Sequence, residues 1–300
     1  MSPRISVIIV NYNAGPELLR CVHSVAESPE DLEIIVIDND SRDNSVQDLL
    51  ASYRGAKKLK TMTNRENLGF AAACNQGSLI AGGDFFLYLN PDCVVEPQTL
   101  SILAQYLEND PQAGMAGGLI LNQDGSEQRG CRRSIPTPWK SLVNTFGLQR
   151  LAGLNQKVFS DFRLDREPLP DKPVEVDAIS GACMMVNRKA FEDVGPMDEG
   201  YFLHCEDLDW CMRFRQKGWK IMFVPQARLL HNKGLCSASR PVFVEWSKHR
   251  GMVRFYRKFF ADQYPKPVQW FFRLGTWLRF GLSVAKIYLQ KLFRPGNRCG

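Results

Sequence analysis

Phe85-Phe86-Leu87-Tyr88-Leu89-Asn90-Pro91-Asp92-Cys93 decides how this chain is read. Five apolar residues followed by a polar turn describe a strand buried on both faces and ending at a rim. A carboxylate just past such a strand end is placed to face a cleft at the edge of a sheet. Turn chemistry alone also accounts for Asn90-Pro91-Asp92. What Asp92 does therefore depends on what the rest of the chain brings beside it.

The same pattern recurs upstream. Ile5-Ser6-Val7-Ile8-Ile9-Val10 reads as a buried strand closed by Asn11-Tyr12-Asn13-Ala14-Gly15. A helix is predicted over 16–28, with Pro16 in its first turn and Leu18, Leu19, Val22 and Val25 at helical spacing. Leu32-Glu33-Ile34-Ile35-Val36-Ile37 is the second strand, running into a cap-rich loop from Asp38 to Ser45 and a helix over 44–53. A weaker strand is expected from Lys58 to Thr63, a small-residue helix after Asn67-Leu68-Gly69, and another helix over 97–108. Strand and helix alternating in this way predict an α/β fold built on a mostly parallel sheet flanked by helices. Ligands of such sheets sit beyond the carboxyl ends of the strands. The acidic clusters at 38–43 and 90–92 both fall there and are expected to meet.

Downstream the pattern loosens. Turn signals at Asp124-Gly125, Pro136-Thr137-Pro138 and 168–173 suggest strands and long loops covering one side of the cleft. Ala178 to Val186 reads as a strand broken by Ser180-Gly181, and a helix is expected over 206–217 with Gly218 as its stop. Ile221 to Val224 reads as a strand, and His231-Asn232-Lys233-Gly234 as a polar loop. The chain then divides into a body, 1–240, and a helical, basic and aromatic extension, 241–300. In the extension Met252, Phe255, Tyr256, Phe259 and Phe260 share one helical side, and Arg250, Arg254, Arg257 and Lys258 the other. Pro265 and Pro267 separate it from a second helix carrying Trp270, Phe271, Phe272, Trp277, Leu278 and Phe280.

Charge follows the same division. The net charge is +6, yet residues 246–300 hold twelve Lys or Arg and one acid, which leaves the body net negative. A basic aromatic tail on an acidic body suits an anionic membrane interface better than nucleic acid, whose phosphates the body would repel. The apolar fraction of 44% supports a sizeable core. Nine cysteines without a Cys-x-x-Cys pair point to reduced thiols and a cytoplasmic setting. A strand pattern beginning at Ile5 leaves no room for a signal peptide, and no apolar run reaches the roughly 18 residues of a spanning helix.

The candidate functional residues each have an ordinary alternative. Asp40 and Asp43 read first as helix caps. Asp38 stands at the strand end itself, where a carboxylate can accept hydrogen bonds from a base or ribose. Glu206, Asp207 and Asp209 suit a helix N-terminus through its dipole, and Asp209 can pair with Arg213 one turn on. Three acids in four residues still exceed what a cap needs, and one can serve as general base. His231 has no partner at a metal-binding spacing such as His-Glu-x-x-His.

Taken in order, these pieces resemble family 2 of the inverting glycosyltransferases with the GT-A fold, and within it the bacterial rhamnosyltransferase-like members. The resemblance covers roughly 5–235. It rests on Ser6 to Asn13, Asp38-Asn39-Asp40-Ser41 with Asp43 and Ser45, Asn67-Leu68-Gly69-Phe70 with Asn75 and Gly77, Leu89-Asn90-Pro91-Asp92, Ser180-Gly181-Ala182, Asp198-Glu199 with Phe202, Glu206-Asp207-Leu208-Asp209, and Arg213 with Gly218. It implies a nucleoside-diphosphate sugar as donor, with Asp38 on the nucleotide base and Asn11, Asn67, Gly69, Asn75, Asn90 and Gly181 around the donor. Asp92, at the second acid of the family's Asp-x-Asp, and His231 would hold Mg or Mn, while Asn90 replaces the first acid. Asp207 would be the catalytic base, with Asp198, Glu206 and Trp210 on the side of a glycan or lipid-linked acceptor. Rhamnose is the sugar this subgroup suggests, and lipid-linked acceptors would explain the tail at the inner face of the cell membrane.

Two other classes compete. A sugar-nucleotide nucleotidyltransferase would show a glycine-rich phosphate loop followed by Lys or Arg after the first strand, where this chain has Asn11 to Pro16. A nucleic-acid-binding protein would rest on the tail alone.

Overall fold

The computed structural model describes residues 4–145, 150, 162–232 and 240–293. Strands β1 (Ile5–Asn11), β2 (Leu32–Asp38), β3 (Lys58–Thr63) and β4 (Phe85–Leu89) pair in the order β3-β2-β1-β4, all parallel. Every residue of β1, β2 and β4 is buried, as their unbroken apolar runs predict for strands covered on both faces. The connecting helices are α1 (Pro16–Ala26), α2 (Ser45–Ser52) and α3 (Phe70–Leu79). Register places Asn11 opposite Asp38 at the carboxyl ends of neighbouring strands.

Beyond β4 the sheet is mixed, which the repeating upstream pattern does not foresee. β10 (Cys183–Asn187) runs antiparallel to β4 and to β6 (Ala113–Leu121), and β11 (Lys220–His231) runs parallel to β6. β6 lies within the stretch expected to be strands and loops at the cleft side, yet eight of its nine residues are buried. Its alternation is hidden by Gly114, Gly117 and Gly118, which small size alone explains. A Cβ at Gly118 would stand 2.2 Å from the Ala227 carbonyl oxygen of β11.

The strand expected at 221–224 is three times that length. β11 continues through Pro225 by means of a register shift between Val224 and Arg228, so His231 ends a strand and does not lie in a loop. Its last residues pair with β5 (Cys93–Val95), Leu229 facing Val95 and His231 facing Cys93. Only Asn90, Pro91 and Asp92 separate β4 from β5, a reach of about 14 Å at most. The end of β11 must therefore curl back to the carboxyl end of β4. The expected strand over 178–186 is likewise two. β9 (Ala178–Ile179) pairs with β7 (Arg132–Arg133) in a separate small sheet, with Ser180-Gly181-Ala182 before β10.

The remaining elements are α4 (Thr99–Asn109), α5 (Pro138–Thr145), β8 (Val174–Glu175, paired with β11), α6 (Arg188–Val194), α7 (Glu206–Gln216), α8 (Pro241–Phe259) and α9 (Lys266–Phe293). Helix α8 is keyed into the body. Phe255 and Tyr256 are buried, and the Tyr256 hydroxyl donates to the Pro136 carbonyl oxygen. Arg254 and Lys258, expected on a basic outer side, instead form ion pairs with Asp198, and Lys258 also reaches the fully buried Asp209 at 2.7 Å.

Gly118→Ala forces β6 away from backbone that cannot yield, so it should destabilise the fold by about 1–3 kcal/mol. Thermal melting against Gly275→Ala, an exposed helical glycine with nothing within 4 Å and no left-handed backbone, checks that packing and not glycine loss is responsible.

Candidate active site

A cavity of about 340 Å³ opens at the carboxyl ends of the parallel strands. Tyr12, Asn39, Asn67, Asn90, Asp92 and His231 form its polar side, and Phe202, Leu203, Phe243 and Val244 an apolar one. Arg240, Phe243 and Val244 belong to the start of α8, so the C-terminal extension completes the cavity wall.

Asp92 and His231 meet there. His231 Nε2 lies 3.1 Å from Asp92 Oδ1, with both side chains buried. His231 Nδ1 lies 2.6 Å from Gln128 Oε1, and the Gln128 amide donates back to the His231 carbonyl oxygen at 3.1 Å. An amide oxygen only accepts, so Nδ1 carries a proton, and Nε2 is the nitrogen left to turn a lone pair toward a cation placed between it and Asp92. This is the arrangement a metal ligand needs. The donor set fits a divalent cation, because 3.1 Å is close to the separation of two neighbouring ligands of one octahedral ion at about 2.1 Å. Cys93 Sγ completes a group of three potential donors within 4.8 Å, but it is fully buried and donates to the Ala182 carbonyl oxygen. Asn90 Nδ2 stands 3.4 Å from His231 Nε2.

The residues expected around the donor form a network with Asn39 at its centre. Asn11 is fully buried, its amide 2.8 Å from Asp38 Oδ1 and 2.8 Å from Ser45 Oγ. Asp38 is thus held at the strand end, while its neighbour Asn39 forms the cavity wall. Asn39 Nδ2 donates to Asn67 Oδ1 and to the Gly69 carbonyl oxygen, and Asn39 Oδ1 accepts from the Leu68 N–H and from Asn64. Gly69 has φ +88°, and a Cβ there would stand 2.6 Å from the Phe202 carbonyl oxygen. That carbonyl accepts the Phe70 N–H at the start of α3, which ties the 67–70 loop to the loop before α7. Asn75 does not reach the cavity. It exchanges hydrogen bonds with the Met197 backbone and donates to Glu199.

The acids at the start of α7 divide sharply. Asp207 Oδ2 accepts from Arg133 Nη2 at 2.5 Å and from the Gly181 N–H at 3.2 Å, and Oδ1 accepts from the Leu208 N–H. Burial pushes the Asp207 carboxyl up, but the Arg133 charge and these hydrogen bonds outweigh it and hold the group ionised, below its ordinary range. Glu206 beside it is pushed up to about 8, first by burial and then by the Asp207 charge, and its Oε2 has no hydrogen-bond partner. Two adjacent carboxyls are therefore one anion and one neutral acid at pH 7. Gly181, expected at the donor, serves Asp207 through its N–H. Asp198 is occupied by Arg254 and Lys258, which with the Gly200 N–H bring it to about 2 against the opposing effect of burial. Trp210, expected on the acceptor side, has no exposed surface. It packs edge-on against Tyr88, Phe191 and Phe214, and its indole N–H donates to the Gly195 carbonyl oxygen. The four residues leading into α7 include His204 and Cys205, both in left-handed backbone conformation, and His204 lines the cavity.

Reading the sequence missed Asn39, Gln128, Arg133, His204 and Arg240 as site residues. Asn39 and His204 adjoin quoted motifs, so neighbourhood was a usable signal. Gln128 and Arg133 lie in the stretch of weak periodicity and carried none. Lys233 and Gly234, the end of the polar loop expected after His231, lie outside the described residues.

Comparison with known proteins agrees with this geometry. The sequence profile of glycosyl transferase family 2 matches residues 6–195. An N-acetylglucosaminyl-diphospho-decaprenol L-rhamnosyltransferase of Mycobacterium tuberculosis is 29% identical over 299 residues, 95% of this chain and 94% of that protein. A dTDP-rhamnosyl transferase of Shigella flexneri is 27% identical over 86% of this chain and 78% of its own length. Among solved structures, a mannosyltransferase of Pyrobaculum calidifontis in complex with GDP-Man and Mn2+ superposes with a TM-score of 0.58 over 99% of this chain and 77% of that one, at 15% identity. That likeness establishes the GT-A fold.

Glu206 binds a proton in the folded state that the unfolded chain releases near 4.5. Its contribution to stability is therefore full below about 4.5 and is lost as pH rises toward 8. Glu206→Gln should flatten this dependence, melting a few degrees above the parent at pH 8.5 and level with it at pH 5. Thermal melts across that range check the assignment.

Proposed function

The chain belongs to glycosyl transferase family 2, and on that premise we propose that it moves a sugar from a nucleoside-diphosphate donor to a hydroxyl of a lipid-linked glycan by one inverting displacement. The observation that carries this reading is the meeting of Asp92, His231, Asn39 and Asn67 in one cavity at the strand ends. Rhamnose as the sugar, and a lipid diphosphate on the acceptor, are supported by the names of the two relatives. A nucleotidyltransferase would need a phosphate loop that the turn after β1 does not have.

The division of labour follows from the site. Asp38 and Asn39 stand at the nucleotide end. Asp92 and His231 would hold Mg or Mn, which supplies positive charge where the departing diphosphate accumulates negative charge. Asp207, kept ionised, accepts the proton of the attacking hydroxyl. Glu206 is neutral and cannot do the same. One base and no carboxylate nucleophile on the opposite face suit inversion. The body, 1–240, carries the reacting groups, the first turn of α8 walls the cavity, and α9 docks on the inner face of the membrane. No described helix is long and apolar enough to cross a membrane. Helix α9 instead exposes Trp270 (60%), Phe271 (66%), Leu278 (62%) and Leu282 (73%) between exposed Lys266, Arg273 and Lys286. That combination of aromatic, aliphatic and cationic groups suits an anionic bilayer surface.

Two measurements test this. With dTDP-rhamnose, Mn2+ and a short-chain polyprenyl diphospho-N-acetylglucosamine, Asp207→Asn should lower transfer by about 10²–10⁴-fold while donor binding persists. Asp92→Ala should abolish the Mn2+-dependent part of donor binding, and unchanged binding in that variant would remove the metal assignment. On phosphatidylglycerol vesicles, Trp270→Ser/Phe271→Ser should lower sedimentation by on the order of tenfold or more without changing the melting temperature.

A further inference from the structure

One short segment, Glu127 to Arg133, serves both halves of the site. Gln128 sets the ring of His231, and Arg133, five residues on, holds Asp207. The segment is firmly fixed. The Gln128 N–H donates to the Ile120 carbonyl oxygen, the Ser180 N–H to that of Cys131, and β7 pairs with β9. Arg132 is anchored beside it on Glu127 and on the Glu167 carbonyl oxygen.

We propose that Arg133 is a positioning residue for the transfer reaction: from β7 it sets the orientation and charge of the Asp207 carboxylate. This rests on the reading of Asp207 as base. Arg133 Nη2 bridges Asp207 Oδ2 and the Ile179 carbonyl oxygen at 2.5 and 2.6 Å, so one guanidinium nitrogen ties the carboxylate to β9. The side chains are 16% and 13% exposed, so solvent screens the pair little. Arg133 Nε is buried without a hydrogen-bond partner, so the guanidinium is held chiefly through Nη2. The other groups that face this carboxylate do not supply the charge. Glu206 is its neutral neighbour on α7, and burial keeps the Cys205 and Cys211 thiols protonated. Arg215 is paired with Asp177, and Lys248 of α8 with Glu245. Arg133 is thus the cation in direct contact with Asp207 among the described residues.

The sign of the effect is fixed. A base must be ionised to act, so transfer falls as pH drops through the pKa of Asp207, and removing a neighbouring cation moves that acid limb to higher pH. The test compares Arg133→Met, Arg133→Lys and Asp207→Asn with the parent enzyme, using dTDP-rhamnose, Mn2+ and the same acceptor from pH 3 to 9, so that the acid limb of the parent falls inside the range. Arg133→Met should raise the acid limb by about 1–3 pH units. It should lower kcat by on the order of 10²-fold, with KM for the donor unchanged. Arg133→Lys restores the charge without the planar fork, so the limb should return while kcat recovers only in part. An acid limb that stays in place in both variants, or a loss confined to donor KM, overturns the proposal. If Arg133→Met does not fold, the Arg133→Lys profile still decides, because a kcat equal to the parent's excludes positioning by the fork. Asp207→Asn separates the two readings: retained transfer removes the base itself, whereas lost transfer beside an unmoved Arg133→Met limb removes only the role of Arg133.

Discussion

The pairing of β11 with β5 is the constraint on which the site depends. Three residues join β4 to β5, so β5 cannot leave the carboxyl end of β4. β11 enters the sheet beside β6, two strands away, and must bend back to pair with β5. The bend falls at the register shift around Pro225, where a residue without an N–H costs the ladder least. The result places His231 opposite Cys93 and its ring 3.1 Å from Asp92, joining residues 139 positions apart in the chain. Gly118 allows the approach by letting the β11 backbone come where any side chain would stand.

Around that junction, each ionisable group is assigned a state by its partner. The His231 ring is oriented by an amide oxygen that accepts from its Nδ1. Asp207 is held ionised by a guanidinium, Glu206 is left neutral by burial and by Asp207, and Asp209, two residues on, is committed to Arg213 and Lys258. Neighbouring acids on one helical turn thus take three different roles because each faces a different element. Burial makes these differences large, since each carboxyl has lost the water that would otherwise equalise them.

Helix α8 belongs to the site as much as to the extension. Its first turn walls the cavity, and Arg254 and Lys258 grip the loop and helix that carry Asp198 and Asp209. Gly251 packs against the carbonyl oxygen of His204, one of the two residues in left-handed backbone conformation ahead of Glu206. Aromatic residues that looked alike in sequence therefore separate. Phe255 and Tyr256 of α8 fill the interface with the body, Phe272 and Phe280 of α9 pack against α8, and Trp270, Phe271 and Trp277 face outward.

The sequence by itself determined the parallel half of the sheet, because β1, β2 and β4 are buried on both faces and must read as unbroken apolar runs. It also singled out Asp38, Asp92 and Asp207 as candidates, being carboxylates at strand ends and in an acidic cluster. Only the tertiary structure decided the mixed half, where glycines and a bulge erase periodicity in β6 and β11. It alone decided which partners each polar side chain meets. Asn11, Asn75, Asp198 and Trp210 turn out to brace the fold, while Gln128 and Arg133 turn out to face His231 and Asp207. Partnership of that kind is set by distance in space, and a chain records only distance along itself.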